Sequence, residues 1–394
     1  MVNGYRKLSM TTTDPPVYNE SFSEYISRVC KGLRKKYKPA PWLKTGFMQT
    51  VLAGYYHYLP KEYFPLYRQV LSLPNGGNVG IDWMGSLRTK PTSIIMFLPG
   101  AGKSTMENGN IITQLMACMY HQYSDVLCGM IIYQNIGGLP LKTLELPGSC
   151  YCSTNDLTTV FSFVRKNYPN IPILVIAASV GTAIFSNWAA RNREVVKSLK
   201  VGPALLLGFG NSVAETVKAI DEYPVIFGCI GPPLSSVLLS KWKQVITDRN
   251  GGVKVLHELA EKYPKFSVEK LLSARNLTEW DEACLPAYEF TSLEEMFEAC
   301  DVERVGMSNY KVPSLFINAT DDMLTPPSRL ITSDQYKQSH MLMVTTSGGG
   351  HLGWIDGAIN DEFIGSHMSW MRNIAFEFVE ASWKYRTIKL WNNL

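Results

Sequence analysis

Six short, continuous apolar runs, at 93–99, 127–134, 171–177, 199–208, 313–318 and 340–345, set the strongest limit on what this chain can fold into. A strand with one wet face alternates apolar and polar residues. A run with no alternation must be covered on both sides, as in a parallel sheet with helices on each face. Helical patterns fill most of the gaps, for example 155–167 and 181–195, and a final amphipathic stretch at 361–385 can close one flank. The expected architecture is an α/β fold with a mostly parallel central sheet flanked by helices. The rhythm breaks once, between 210 and 313, where no strand is evident. A helical cap insertion over about 211–305 accounts for that gap better than a loop does.

The chain has 394 residues and a net charge of +4. That length carries an ample core, and that charge gives no case for nucleic acid. The excess lies in Arg28, Lys31, Arg34, Lys35, Lys36 and Lys38, a stretch with no acid inside it. A solvated face is the first reading of such a run, and contact with anionic lipid is the second. Residues 1 to about 20 read as a loose tail, and 1–40 as a polar, basic extension before the main domain at 41–394.

No apolar run is long enough to span a bilayer, and the first thirty residues carry no apolar signal core. The eight cysteines lack zinc-site spacing, and Cys150 with Cys152 form only C-x-C. They are read as reduced thiols in a cytoplasmic protein, with the sequons at Asn19, Asn276 and Asn318 unused. Neither a metal nor a cofactor site is expected.

After the first apolar run comes FLPGAGKST, which is close to a phosphate-binding loop. The pattern G-x-x-x-x-G-K-S/T would need a glycine where Phe97 stands, inside the strand. A different use fits better. A glycine turn after an early strand can lend a backbone N–H to an oxyanion, because glycine lets the backbone come close. Pro99-Gly100-Ala101-Gly102 suits that role, with Ala101 as donor.

Three downstream features then fall in a fixed order. Ala177-Ala178-Ser179-Val180-Gly181 follows an apolar run and precedes a helical pattern, as a nucleophile elbow does. Small residues flank Ser179, and Val180 supplies the second oxyanion N–H. The alternative reading is a serine that caps a helix. Asp321 and Asp322 follow the run at 313–318. Asp322 is favoured as the acid because Pro326 lies four residues on, which leaves Asp321 as a turn residue. Gly348-Gly349-Gly350-His351 follows the last run, and those glycines can fold His351 back over the sheet edge. His340 begins the preceding strand, while His57, His121, His257 and His367 have no evident partner. Ser179, Asp322 and His351 thus stand in the chain order of a Ser-Asp-His triad on an α/β sheet.

These motifs resemble those of the AB hydrolase 4 branch of the α/β-hydrolase superfamily, over about residues 40 to 380. That branch holds animal monoacylglycerol lipases, a medium-chain phospholipase and bacterial esterases. Gly46, Gln49 and Thr50 match its G-x-x-Q-T, GGNVGIDW its first hairpin, LPGAGKS its L-P-G-x-x-G-x-S, and Asp156 its Y-C-x-x-N-x-D-L. The acid and histidine segments match as well. Two motifs depart. The family's N-R-G reads Asn135-Ile136-Gly137, and G-x-S-M-G-G ends here in Thr182. The resemblance implies a serine esterase or lipase that acts on lipid or short-chain esters without a cofactor. Several animal members carry an N-terminal membrane anchor, whereas this chain shows only the basic stretch. Two other readings stand beside it: a lipid acyltransferase, since His351 and Asp356 spell H-x4-D, and a non-catalytic binding protein on the same fold.

Overall fold

The structure is a computed structural model, and it describes residues 6–56, 66–84, 90–101, 111–145, 155–210, 212–222, 234–248, 252–325, 337–357 and 365–388. Eight strands form one sheet: β1 (Leu66–Ser72), β2 (Asn78–Met84), β3 (Ser93–Leu98), β4 (Val126–Ile132), β5 (Ile173–Ala178), β6 (Val201–Leu207), β7 (Ser314–Ala319) and β8 (Met341–Thr346). Their order is β1-β2-β4-β3-β5-β6-β7-β8. Only the β1–β2 and β2–β4 pairs are antiparallel; from β4 to β8 every pair is parallel. This is the α/β-hydrolase fold.

The apolar runs are explained strand by strand. In β5, Ile173, Val175 and Ala177 enter one core layer while Leu174, Ile176 and Ala178 enter the other. β3 divides in the same way, with Ile94, Met96 and Leu98 on one side and Ile95 and Phe97 on the other. Both faces are dry, so apart from Ser93 at the start of β3 neither strand carries a polar residue. Phe97 is fully buried in β3, where a phosphate loop would need its first glycine. The Lys103–Ser104 part of that comparison lies outside the described residues.

Helices α1 (Phe22–Val29), α2 (Gly46–Tyr56), α3 (Ile111–Gln122), α4 (Asn155–Asn167), α5 (Val180–Arg191) and α6 (Arg193–Leu199) precede or separate the first six strands along the chain. The helix expected over 181–195 is two helices. Asn192 breaks it by leaving helical geometry, with its side chain turned back to the Trp188 carbonyl at 3.0 Å. Between β6 and β7 come only helices among the described residues: α7 (Val213–Glu222), α8 (Leu234–Asp248), α9 (Gly252–Ala260), α10 (Val268–Ser273), α11 (Leu277–Cys284), α12 (Leu293–Cys300) and α13 (Val302–Val305). Their large side chains pack on one another. Trp242 and Trp280 lie 5.8 Å apart and are both buried. α14 (Ser369–Ile388) covers the opposite face beside α1 and α3. Residues 361–364 of the expected last helix lie outside the described residues.

The N-terminal stretch is not a loose tail. Leu8 is fully buried, and its N–H donates to Asp125 at 2.6 Å. Phe22, Tyr25 and Ile26 bury one side of α1 against α14 and β8. The capping box at Ser21 and Glu24 starts that helix. The sequence shows few apolar residues here; Leu8, Phe22, Tyr25 and Ile26 face inward, while Met10, Val17 and Tyr18 stay exposed.

One buried acid gives the fold a pH dependence. Asp156, in the first turn of α4, shares the Gln134 side-chain amide with Glu145, at 2.9 and 2.6 Å. Burial pushes its pKa up to about 7; the charge of Glu145 adds to this and the Gln134 hydrogen bond opposes it. The folded protein therefore holds this proton more tightly than the unfolded chain does. The stability it supplies is complete below the ordinary carboxyl value and is lost as pH rises through about 7. Asp156→Asn removes that slope. Between about pH 5 and about pH 8 the melting temperature of the wild type should fall relative to the variant, by an amount reflecting about 2–4 kcal/mol. Parallel melting curves over that range would contradict the assignment.

Candidate active site

Three strand ends deliver the site. β5 ends at Ala178, and Ser179 follows in a backbone conformation that side chains rarely adopt, φ 52° and ψ −126°. Three hydrogen bonds hold that turn. The Ser179 N–H donates to Leu207 O at 2.9 Å. The Ser179 carbonyl accepts from Thr182 N at 2.8 Å and from Thr182 Oγ1 at 2.5 Å. Thr182, which stands where the resembling family has glycine, is thus a buried anchor of the turn. Gly181 is required for a separate reason. A Cβ there would sit 2.5 Å from Leu98 O and 2.7 Å from Pro99 O, so α5 starts in direct contact with the end of β3.

The predicted triad residues meet. His351 Nε2 lies 2.8 Å from Ser179 Oγ, and His351 Nδ1 lies 2.9 Å from Asp322 Oδ2. The His351 side chain is 11% exposed and that of Asp322 fully buried, so solvent screens this pair little. Asp322 does not rely on His351 alone. Its Oδ1 accepts the N–H groups of Leu324 and Thr325, each at 2.9 Å, and its Oδ2 accepts the Thr325 hydroxyl at 2.7 Å. Burial works to raise its pKa. The His351 charge and the hydrogen bonds from His351 and Thr325 outweigh that and hold it below the ordinary carboxylate value. Asp322 is an anion ready to stabilise an imidazolium. Pro326, the marker used to choose it, lies outside the described residues.

The oxyanion candidates sit beside the nucleophile. Gly100 closely approaches Ser179, since a Cβ on it would lie 3.3 Å from Ser179 Cβ, and Ala101 is the next residue. Val180 opens α5, where the first backbone N–H groups have no partner within the helix. Gly102 lies outside the described residues.

Asp321 is more than a turn residue. Its Oδ1 accepts the N–H of Gly350 at 2.9 Å and so tethers the histidine loop. α2 grips the same loop. Thr50 Oγ1 accepts the His351 N–H at 2.8 Å and donates to Gly46 O at 2.8 Å. Buried Gln49 accepts Ile355 N–H at 2.8 Å and donates to Leu43 O and Ile355 O. Gly350, at φ 54°, passes so close to α2 that a Cβ would meet Gly46 O at 2.1 Å. Positions 46, 49 and 50 share one helix face, which is the structural sense of G-x-x-Q-T. The sequence shows that spacing without showing what the face touches.

Asp356 has a different task from the one H-x4-D would give it. Its carboxylate accepts Ser369 N and Oγ at 2.8 Å each and Trp370 N at 2.7 Å, which caps α14. The four remaining described histidines lie elsewhere: His340 Nε2 is 2.9 Å from Tyr310 O, His257 lies 3.8 Å from Glu269, His121 lies in α3 against the Tyr120 ring, and the His367 carbonyl accepts the Asp356 N–H. His57, Cys150 and Cys152 lie outside the described residues. No cluster of three or more metal-ligating side chains occurs among the described residues.

The chain is similar to curated lipases over most of its length. It is 22% identical over 353 residues to phospholipase ABHD3 of Bos taurus, covering 86% of this chain and 78% of that one. Against monoacylglycerol lipase ABHD2 of Homo sapiens it is 22% identical over 395 residues, covering 97% and 89%. Among solved structures, the Pyrococcus furiosus esterase Pf2001 superposes with a TM-score of 0.48 at 13% identity, covering 82% of this chain and 94% of that one. No family model matches the chain.

Thr50→Val keeps the side-chain shape and removes the acceptor that fixes the His351 backbone. Turnover of an activated ester should fall about ten- to a hundredfold in kcat, with KM nearly unchanged, because a small displacement of the base costs rate and not binding. Thr50→Ser should restore it. Equal loss in both variants, or a loss confined to KM, would mean that Thr50 supports the fold alone.

Proposed function

From a chain similar in sequence to the α/β-hydrolase-domain lipases, we propose a serine hydrolase that cleaves carboxylic esters of lipids, acylglycerols or phospholipids among them, through an acyl-enzyme. The observation that carries this reading is the unbroken relay from Ser179 Oγ through His351 to the buried Asp322 carboxylate, at 2.8 and 2.9 Å.

Ser179 Oγ attacks the ester carbonyl carbon while His351 Nε2 takes its proton. Asp322 holds the ring through Nδ1 and stabilises the imidazolium that forms. The N–H groups of Ala101 and Val180 receive the developing oxyanion, each worth about 3 kcal/mol in reactions of this kind. The tetrahedral intermediate collapses, and the leaving alkoxide takes the proton from His351. Water then gives a proton to His351 as it attacks the acyl carbon, and the collapsing intermediate expels Ser179 Oγ, which takes that proton back from His351 as the carboxylic acid leaves. No step calls on a metal or an organic cofactor. The helices inserted at about 211–305 act as a cap over this edge of the sheet on a main domain of 41–394, and they shape the space for an acyl chain.

The partner is a small lipid or ester, not nucleic acid. No helix among the described residues is long and apolar enough to cross a membrane. We place the protein in the cytoplasm at the membrane periphery. The buried free thiols Cys30 and Cys128 are in keeping with a reducing compartment.

Labelling with a fluorophosphonate, followed by peptide mass mapping, tests the nucleophile. The wild type should carry the label on Ser179, and Ser179→Ala should be unlabelled, with ester turnover lower by about 10⁴-fold or more. A folded wild type that stays unlabelled would favour the non-catalytic reading. Acyl transfer to an added alcohol in preference to water would favour the acyltransferase.

A further inference from the structure

The segment that joins α1 to α2 carries two features that the ester chemistry does not use. Lys35, Lys36, Lys38 and Lys44 are all exposed on it, as is Trp42 at 44%. The four lysines make no ion pair with any described residue. The nearby acids are already engaged. Glu20 holds Arg28 at 2.8 Å, Glu377 accepts Gly32 N–H at 2.7 Å, and Asp356 caps α14. Glu380 takes Arg6, the Tyr123 hydroxyl and the Thr11 hydroxyl. None of these acids forms an ion pair with the four lysines, and the cations of this face outnumber the acids beside them.

Beside it is a cleft of about 550 Å³ lined by the cations Arg6, Lys35, Lys36 and Lys38, by the acids Asp356 and Glu377, and by Trp370. The Trp370 indole N–H donates to Lys35 O at 2.9 Å, and its ring meets Tyr37 edge-on at 5.4 Å. A row of free ammonium groups with an exposed tryptophan among them matches the interface of a bilayer. Lysines attract acidic headgroups, and an indole settles at headgroup depth.

The segment is also tied to the catalytic loop. Tyr37 OH donates to Ile355 O at 3.0 Å and Ala40 N–H donates to the same carbonyl at 3.0 Å, four residues beyond His351. A surface docked here therefore engages a segment bonded to the chain just beyond His351. We propose that Lys35, Lys36, Lys38, Trp42 and Lys44, with the cleft beside Trp370, form a docking face for a bilayer containing anionic phospholipid, which receives the acidic headgroups and holds the esterase site at the lipid surface. The docking itself does not depend on the ester hydrolysis proposed above.

Vesicle co-sedimentation of the full chain tests it, with hydrolysis of a short, water-soluble ester as a separate readout. The wild type should pellet with vesicles of phosphatidylcholine containing about 30% phosphatidylserine, and far less with phosphatidylcholine alone. About 0.5 M salt should release it. The triple variant Lys35→Gln, Lys36→Gln, Lys38→Gln should lose about a hundredfold in partition coefficient, and Trp42→Ala several-fold. Turnover of the soluble ester should stay the same in both variants, which also shows that they fold. Equal binding to neutral vesicles, or a triple variant that binds like the wild type, overturns the proposal. So does a titration with inorganic phosphate showing lysine-dependent binding when no vesicle is bound, which would make the cleft a site for soluble phosphate. An inactive protein that still docks would count against the hydrolase reading alone.

Discussion

The conformation of Ser179 is the constraint on which the rest of the site depends. A positive φ on a serine is costly, and it persists only where the surroundings over-determine it. Here they do. β5 is buried on both faces up to Ala178, α5 begins at Val180 against the end of β3, and the single residue between them must turn the chain sharply. Leu207 O on one side and Thr182 on the other close the turn. The turn leaves the first N–H of α5 beside the Ser179 hydroxyl, so one backbone distortion presents both groups that the proposed mechanism uses.

The histidine needs the opposite treatment. Its loop has glycines at 348, 349 and 350, and such a loop has no geometry of its own. Order is imposed from outside by α2 through Thr50 and Gln49 and by Asp321 at the end of β7. The two adjacent acids divide the work. Asp322 faces the imidazole ring, and Asp321 faces the backbone that carries it. Burying Asp322 is tolerable because three donors besides His351 satisfy its oxygens.

This division explains what could be read from the sequence. β3 to β8 were legible because strands covered on both faces need unbroken apolar runs, and the expected bounds differ from the observed ones by only a residue or two. β1 was not. It is an edge strand with a half-exposed pattern and an inward Arg68 paired to Asp82, so it leaves no apolar run. Ser179, Asp322 and His351 were legible because each follows a strand and carries its local turn chemistry with it. The second layer at Thr50, Gln49 and Asp321 was visible at most as spacing, since its partners lie far off in the chain, 301 residues away for Thr50 and His351. The burial of Leu8 and Phe22 was missed because isolated apolar residues in a polar stretch have no period to detect.

The same long-range contacts tie the N-terminal third of the chain to the segment that follows His351. Between α1 and α2, Tyr37 and Ala40 both bond Ile355 O, and Gln49 bonds Ile355 through both its amide groups. Three separate sequence positions thus converge on one residue just beyond the catalytic histidine. Lys36 and Lys38, the exposed neighbours of Tyr37, project from the outer side of that same clamp. Buried inward-facing residues fix the clamp in place, so a surface that engages the lysines acts on a rigid support and not on a tail. The basic stretch and the His351 loop therefore belong to one packed unit, joined at the Ile355 carbonyl.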